Sequence, residues 1–343
     1  MKHIFPIFIL IALCGCIDPL NTDLPEQESK LVVFAEITND TVPYTVQLGR
    51  STPYTALRTP KETNAKVYVT DSTGNRYEFY EIDMGIYQST PSEFIGKVGM
   101  KYQLTVVTSD DKRYISDFSP ILPTGEITSL NFKKDSRLIQ VDNNTIKESG
   151  ISFTVDFKDN LGKEYYKIDW VGTYKYRANH RDNNTYCWDT EYPTFEINLY
   201  DDQFTNNSQI TDQKVAFLSK GFRFRDGYSF KAELKSLTPE AYTFWRLVKD
   251  QTENDGSIFS SLPATIKSNM HNEQNPDDIV LGYFFTSAVA SSRVFVPSVT
   301  YSDITSELPG CQPFRPWDPI KEWCYDCTLY QNSTNVEPSF WMN

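Results

Sequence analysis

The sequence of 343 residues predicts a mainly β protein with one packed helix and a C-terminal tail held by disulfides. Most of the chain consists of short runs rich in β-branched and aromatic residues, separated by turn residues. One stretch, after Thr238, has apolar residues at helical spacing instead. Four of the six cysteines lie at position 187 or beyond, three of them in a proline-rich tail.

The first 16 residues have the order of an export signal. Lys2 precedes an apolar run at 4–13 that is about half as long as a membrane-spanning helix, so we interpret it as a signal sequence. The letters Leu-Cys-Gly-Cys at 13–16 resemble a bacterial lipobox. This predicts that Cys16 becomes the first mature residue and carries a palmitate-type lipid anchor. A plain secretory signal with a chance cysteine is the alternative.

Composition limits the partners that the mature chain is expected to have. Residues 17–29 are polar and acidic with two prolines, which predicts a flexible tether above the membrane. The formal net charge is -12 and no basic run offsets it, so we expect no nucleic-acid partner.

Residues 30–123 are expected to form the first domain. Runs of β-forming residues alternate with turns, and Asp-Ser-Thr-Gly-Asn at 71–75 predicts a hairpin between strands at 67–69 and 77–79. Short strands at this spacing without a helical period indicate a β-sandwich of immunoglobulin or fibronectin type. Prolines at 120 and 123 are expected to end it, because proline cannot continue a central ladder.

Residues 124–300 are expected to form a second β-rich domain. Thr238 reads as a helix N-cap, Pro239 as the first helical residue and Glu240 as an acidic first turn. Apolar residues then recur at helical spacing, so we predict a helix over about 239–253 that packs on the sheet. Runs at 280–290 and 293–299 are interpreted as a closing pair of strands in this domain.

Residues 301–343 form a Cys/Pro-rich tail that we expect to pack on the second domain. In an exported chain an even number of cysteines favours disulfides, and we expect two bridges without being able to choose among the three pairings. The four cysteines concerned are Cys187, Cys311, Cys324 and Cys327. A zinc site and a redox role for the Cys-x-x-Cys pair are the less favoured alternatives.

Several stretches resemble one known family. The most specific one starts at Leu237 and reads Leu-Thr-Pro-Glu-Ala-Tyr-x-Phe-Trp. Others are Gly85-Ile86-Tyr87-x-Ser89, Gly99-x-x-Tyr102-x-Leu104, Tyr114-Ile115-Ser116, Gly256-Ser257-Ile258-Phe259, Asn269, Val280-Leu281-Gly282-Tyr283-Phe284, Cys324-x-x-Cys327-Thr328 and Pro338-x-Phe340-Trp341. Together they resemble the DUF4249 lipoproteins of Bacteroidota, although Ser268-Asn269-Met270 stands where that family more often has Gly-Asn-Ile.

The resemblance implies a location and a kind of partner, but no reaction. Members are often encoded near TonB-dependent receptors, which implies an outer-membrane lipoprotein that assists such a receptor. Acidic residues in the tether resemble the surface-export signal of that phylum, and this favours the cell surface over the periplasmic face. The triplets around Thr41 and Ser72 resemble its O-glycosylation sites.

The search for chemistry in the sequence yields no catalytic site, no metal site and no cofactor. His180 and His271 are far apart and lack metal-ligand spacing, and the acid pairs at 201–202 and 277–278 are interpreted as solvated loop residues. Aromatic residues placed on or beside loops are the candidates for binding a ligand or partner. They are Trp170, Trp188, Trp317, Trp323 and Tyr325.

The sequence therefore predicts a non-catalytic lipoprotein that binds a ligand or docks on a TonB-dependent receptor for nutrient uptake. The alternative is a structural or adhesive module of the cell surface, since immunoglobulin-like sandwiches often serve that purpose.

Overall fold

The computed structural model describes most of the chain from residue 29 onward. The described residues are 29–52, 56, 58–142, 144–160, 162, 164–177, 186–193, 196–202, 208–253, 266–298, 311, 319, 321–330 and 332–341. They are mainly β with one α-helix, as the sequence predicts. The expected signal sequence, Cys16 and nearly all of the tether lie outside the described residues. Within the described part, no helix has the length and apolar character needed to cross a membrane.

The described residues form three sheets and one α-helix. In chain order the elements are β1 (Leu31–Thr38), β2 (Thr45–Arg50), β3 (Lys66–Asp71), β4 (Arg76–Asp83), β5 (Ile86–Ser89), β6 (Lys101–Val107), β7 (Arg113–Ser116), β8 (Ser119–Pro120), β9 (Glu126–Val141), β10 (Asn144–Lys158), β11 (Tyr165–Arg177), β12 (Tyr186–Glu191), β13 (Asn198–Asp201), β14 (Gln209–Ser219), β15 (Tyr228–Leu237), α1 (Pro239–Glu253), β16 (Met270–Asn272), β17 (Leu281–Ser287), β18 (Val289–Val296) and β19 (Ser333–Thr334).

The first sheet has ten strands and encloses one core. Its order is β16-β7-β6-β3-β4-β5-β2-β1-β17, with β8 paired to β6. The predicted hairpin is confirmed, because Val67 pairs with Phe79 and Val69 with Tyr77. Strands from opposite ends of this order contribute to a single buried cluster, for example Tyr114 on β7 and Phe284 on β17. The sheet therefore curls around its core. The sequence instead predicted a sandwich of two separate sheets.

The first sheet also takes in residues that the sequence assigned to the second domain. β17 pairs in parallel with β1, with Phe34 opposite Tyr283, and β16 pairs with β7. The expected ranges 30–123 and 124–300 are corrected accordingly, since the chain returns to the first sheet near its end. The reason is that β17 is apolar on both faces: Phe284 enters the first core, while Tyr283 and Phe285 face α1.

The second unit is a sandwich of two sheets. A three-stranded sheet, β14-β10-β9, packs on a six-stranded sheet, β18-β15-β11-β12-β19, in which β13 also pairs with β11. Their facing side chains form one core, with Phe153 stacked on Phe230 at 3.9 Å between ring centroids. Alternation of side chains along the strands places these residues on the inner faces.

The helix α1 has the bounds that its sequence predicts, Pro239–Glu253. The Oγ1 of Thr238 accepts a hydrogen bond from the backbone N–H of Ala241 at 3.2 Å, as expected of an N-cap residue. Phe244 and Trp245 pack on Phe285, so the helix covers the outer face of β17. It also contacts β11, β13 and β15 of the second unit. α1 is therefore shared between the two units.

Two disulfides involve the C-terminal tail: Cys187–Cys327 joins it to β12, and Cys311–Cys324 lies within it. Each cysteine of the Cys-x-x-Cys pair is bonded to a partner outside the pair, which removes the redox alternative. β19 pairs with β12, and the hydroxyl of Tyr176 donates to the backbone carbonyl of Cys327 at 2.7 Å. The described part of the tail thus packs on the second sandwich.

Candidate functional site

The strongest candidate site is a cleft of about 800 Å³ beside the first turn of α1. It lies where the first sheet meets the helix, and three segments form its walls: residues 117–120 around β8, the start of α1, and residues 267–269 before β16. Tyr283 of β17 completes the lining. We call this the helix cleft. Capping, aromatic packing and hydrogen bonds fix the positions of the walls.

α1, which forms one wall, has a well-defined first residue because three neighbouring residues favour the start of a helix. Thr238 caps the first turn, Pro239 has the backbone angle of a first helical residue, and the charge of Glu240 suits the positive end of the helix dipole. The Oγ1 of Thr243 donates to the backbone carbonyl of Pro239 at 2.8 Å. The first turn is thus held by side chains at the rim of the helix cleft.

The floor is aromatic. Phe244 of α1 and Tyr283 of β17 are both buried and lie 4.8 Å apart between ring centroids. Phe285 packs against both rings. At the rim, by contrast, Phe118 remains 46% exposed. An exposed ring above an apolar floor is a feature of surfaces that bind ligands or proteins.

The opposite wall is fastened by Asn269. Its Nδ2 donates to the backbone carbonyl of Phe284 and its Oδ1 accepts from the backbone N–H of the same residue, both at 2.9 Å. Its own carbonyl accepts from the N–H of Asp117 at 2.9 Å. One side chain therefore ties residues 267–269 to β17, and the backbone ties them to the end of β7. The helix cleft is preformed on both sides.

The charges at the rim are mixed. Asp117 and Glu240 are exposed acids, and Lys267 is an exposed base. Burial, together with the charges of Glu240 and Asp117, raises the pKa of Tyr283 to about 12. Its hydroxyl therefore keeps its proton at neutral pH. The lining contains no histidine or cysteine, and within the described chain no group of acidic, His or Cys side chains is arranged to hold a metal.

Two of the predicted binding aromatics are buried strand residues. Trp170 lies inside β11 and stacks on Phe230, with 5.4 Å between ring centroids. Trp188 lies inside β12 and packs edge-on against Trp341. Both are 5% exposed. The prediction of a loop position is corrected, because both residues belong to strands. The side chain of Trp170 enters the second core, whereas that of Trp188 lies on the opposite face from the core residue Cys187 and is covered by Trp341.

The other predicted aromatics do not join them in one face. Trp323 is half-buried against Tyr330, Tyr325 is exposed in the tail, and Trp317 lies outside the described residues. The helix cleft instead uses Phe118, Phe244 and Tyr283. The helical spacing and the DUF4249-like stretch marked Phe244 in the sequence, a second such stretch marked Tyr283, and Phe118 carried no signal.

The two predicted glycosylation residues are accessible. Thr41 lies between β1 and β2, Ser72 lies in the β3–β4 turn, and both are exposed. The turn depends on Asp71, whose Oδ1 accepts from the N–H groups of Thr73 and Asn75 at 2.9 and 3.0 Å. Against the cost of burial, hydrogen bonds from the side chains of Thr73 and Asn75, together with those from their N–H groups, hold the pKa of Asp71 well below its usual value. The acid of this triplet therefore has a structural role.

The acid pairs differ from the expectation of solvated loops. The Oδ2 of Asp278 accepts from the Tyr114 hydroxyl at 2.8 Å and from Asn272 Nδ2 at 2.7 Å. Asp202 is buried. Of the two histidines, His271 lies exposed in β16, and His180 is outside the described residues.

A family model described as a domain of unknown function (DUF4249) matches residues 17–293. The chain belongs to the DUF4249 family. The match includes the whole first sheet, α1, every residue of the helix cleft and most of the second sandwich, and it ends within β18, before the cysteine tail. No curated protein matches the chain. Three stretches that resemble DUF4249 sequences, around Thr238, Asn269 and Tyr283, come together in the helix cleft.

Proposed function

We propose that this chain is a non-catalytic, lipid-anchored protein of the outer membrane that binds a ligand or docks on a TonB-dependent receptor through the helix cleft. One observation carries the proposal. Three of the stretches that carry the DUF4249 resemblance are separate in sequence, yet all of them line one preformed cleft with an exposed aromatic rim. The lipobox-like Cys16 supports the anchor, and the acidic tether supports the cell surface as its location.

A pull-down from gently solubilised outer membranes tests this proposal. The native chain, Cys16→Ala and two cleft variants, Phe118→Ser and Lys267→Glu, would each carry a C-terminal tag. Tyr80→Ser is the matched control, since Tyr80 is an exposed aromatic residue on β4, away from the helix cleft. We expect a TonB-dependent receptor to co-purify with the native and control chains and to be lost from the other three. A native chain that always extracts alone would contradict the proposal.

The alternative function, a structural or adhesive surface module, is favoured by a projecting hairpin. β14 pairs with β10 only from Gly150 onward, so residues 135–141 of β9 and 144–149 of β10 continue as a two-stranded ribbon. Its apolar residues Leu138, Val141 and Ile146 are exposed, Leu138 to 72%. Such a ribbon is suited to contact with another surface. Under this alternative, Leu138→Ser with Ile146→Ser lowers cell attachment and leaves nutrient uptake unchanged.

A further inference from the structure

The last described segment of the tail closes over the outer face of the six-stranded sheet. It comprises residues 335–341, which follow β19, and we call it the C-terminal arm. Among these residues only Trp341 is buried, with 8% exposure, whereas Val336 is 69% exposed and Phe340 37%. The buried part of the arm is therefore a single indole ring.

The ring of Trp341 lies in a pocket that the six-stranded sheet provides. Its centroid lies 6.2 Å from that of Trp188 on β12 and 5.2 Å from that of Phe295 on β18, both in edge-on geometry. Gly227 leaves room for these rings, since a Cβ atom there would lie 2.7 Å from Phe295 and 3.4 Å from Trp341. We call Trp188, Gly227 and Phe295 the indole pocket. Trp188 and Phe295 lie on paired strands of the sheet, which keeps the pocket in place when the arm is displaced.

Two basic side chains border the indole pocket. The ammonium group of Lys175 lies 5.5 Å from the centre of the Trp188 ring, and the guanidinium carbon of Arg293 lies 3.6 Å from the centre of the Phe340 ring. Such bases attract both aromatic faces and negative charge. The surface therefore favours a segment that has an aromatic residue close to an acidic one. The C-terminal arm has this combination, because Glu337 stands shortly before its aromatic residues.

The closing of the arm balances two opposing contributions. Burying the ring of Trp341 removes a large apolar area from water. Ordering the mostly exposed residues 335–340 costs backbone entropy at each position. The Cys187–Cys327 disulfide and the pairing of β19 with β12 hold the tail as far as Thr334, so the arm can open while the rest of the tail stays in place.

We propose that the indole pocket is a binding site for an aromatic residue of a partner protein, and that the C-terminal arm is its removable cover. The partner segment has the chemistry of the arm itself, a tryptophan or phenylalanine close to an acidic residue. Displacement of Trp341 uncovers Trp188 beside Tyr186, which is already 41% exposed on the same strand. The arm and the partner therefore compete for one pocket, and this site is separate from the helix cleft.

The binding of a synthetic peptide tests the proposal. The probe is a fluorescein-labelled, amidated peptide with the sequence of residues 335–341, and fluorescence anisotropy measures its binding. We expect saturable binding to the full-length chain with Phe340→Ser and Trp341→Ser, the arm-released variant, because its pocket is empty. The native chain should bind about tenfold more weakly, because its own arm competes at an effective concentration in the millimolar range. Equal binding by both chains, or no binding by the folded arm-released variant, would overturn the proposal.

Two further substitutions in the arm-released variant show where the peptide binds. Trp188→Ala should weaken peptide binding by about tenfold or more, because it removes a ring that contacts the indole. Phe118→Ser, at the rim of the helix cleft, should leave the affinity unchanged. The opposite result would place the peptide in the helix cleft and overturn the proposal. Failure of the receptor pull-down would leave it standing, since that experiment concerns the helix cleft.

Hydrogen exchange of the native chain tests the opening of the arm even if the serine variant fails to fold. The backbone N–H of Trp341 donates to the carbonyl of Pro338 at 2.9 Å. If the arm opens by itself, this N–H should exchange about ten times faster, or more, than the hydrogen-bonded N–H groups of β12, which open only with the sheet. Exchange as slow as in β12 would show that the arm opens only when the sandwich unfolds, and the proposal would fail.

Discussion

Asn269 shows how one residue can complete a sheet. Its amide makes the two hydrogen bonds with the backbone of Phe284 that a neighbouring strand would otherwise make. β16 and β17 stand at opposite ends of the strand order, and Asn269 immediately precedes β16. The ends of the curled sheet are therefore joined by a side chain. Only the resemblance to DUF4249 sequences marked this residue, since its role depends on atoms that lie 15 residues away along the chain.

Asn269→Ala is expected to lower the free energy of unfolding by about 3 kcal/mol, because two backbone groups of a buried residue lose their partner. Asn269→Asp is the comparison variant: it keeps the acceptor for the Phe284 N–H but places a carboxylate oxygen against the Phe284 carbonyl, so a loss at least as large is expected. Urea unfolding monitored by circular dichroism measures both variants. A loss below about 0.5 kcal/mol for the alanine variant would mean that water replaces the amide.

Trp170 and Trp188 show the limit of sequence reasoning at the residue scale. The sequence predicts that both lie on or beside loops. In the structure both are buried strand residues: Trp170 enters the second core, whereas Trp188 is covered by Trp341 on the other face of its sheet. The local sequence around a large aromatic residue is compatible with a loop position and with a buried strand position until its strand partner is known. The partner depends on residues that are distant in sequence.

At the scale of elements, the sequence predicted correctly those features that depend on interactions between neighbouring residues. The bounds of α1 follow from Thr238, Pro239 and the helical spacing that comes after them, and the β3–β4 hairpin follows from its turn. Disulfide pairing is not local, so three pairings remained open. The structure selects one bridge that closes a separation of 140 residues and one that closes 13.

The two bridges should contribute unequally to stability. In the chain-entropy account the longer loop gives the larger effect, about 5 kcal/mol for Cys187–Cys327 against about 3 kcal/mol for Cys311–Cys324. Cys187→Ala with Cys327→Ala is therefore expected to lower the unfolding temperature of the second sandwich more than Cys311→Ala with Cys324→Ala. Differential scanning calorimetry of the two double variants gives the comparison. Equal or reversed effects would contradict the entropic explanation.

At the scale of the whole molecule, the two units are interlocked. β17 belongs to the first sheet and β18 to the second, and a single buried residue, Ala288, separates them. The ammonium group of Lys235 on β15 also lies 2.7 Å from Glu36 on β1. With α1 packed on both units, these connections argue against freely moving domains. They also keep the walls of the helix cleft in fixed positions.

Residues 29–123 expressed alone should therefore fail to fold. The fragment lacks β17, so the apolar edge strand β1 loses its parallel partner and the core loses Phe284. A chain of residues 29–298 retains both and should fold, although it lacks the tail. Near-ultraviolet circular dichroism and cooperative thermal unfolding distinguish the two fragments. Cooperative unfolding of the 29–123 fragment would show that the first unit is independent after all.

The amino-acid order alone accounts for the mainly β class, the helix bounds, the hairpin turn and the family resemblance, because each depends on periodicity or on neighbouring residues. Folding in three dimensions accounts for the rest: the return of β17 to the first sheet, the disulfide pairing, the burial of Trp170, Trp188 and Asp202, and the helix cleft. These features depend on contacts between residues far apart in the chain. A linear pattern records which residues can be buried or paired, whereas the partner of each is selected by the packing of the whole molecule.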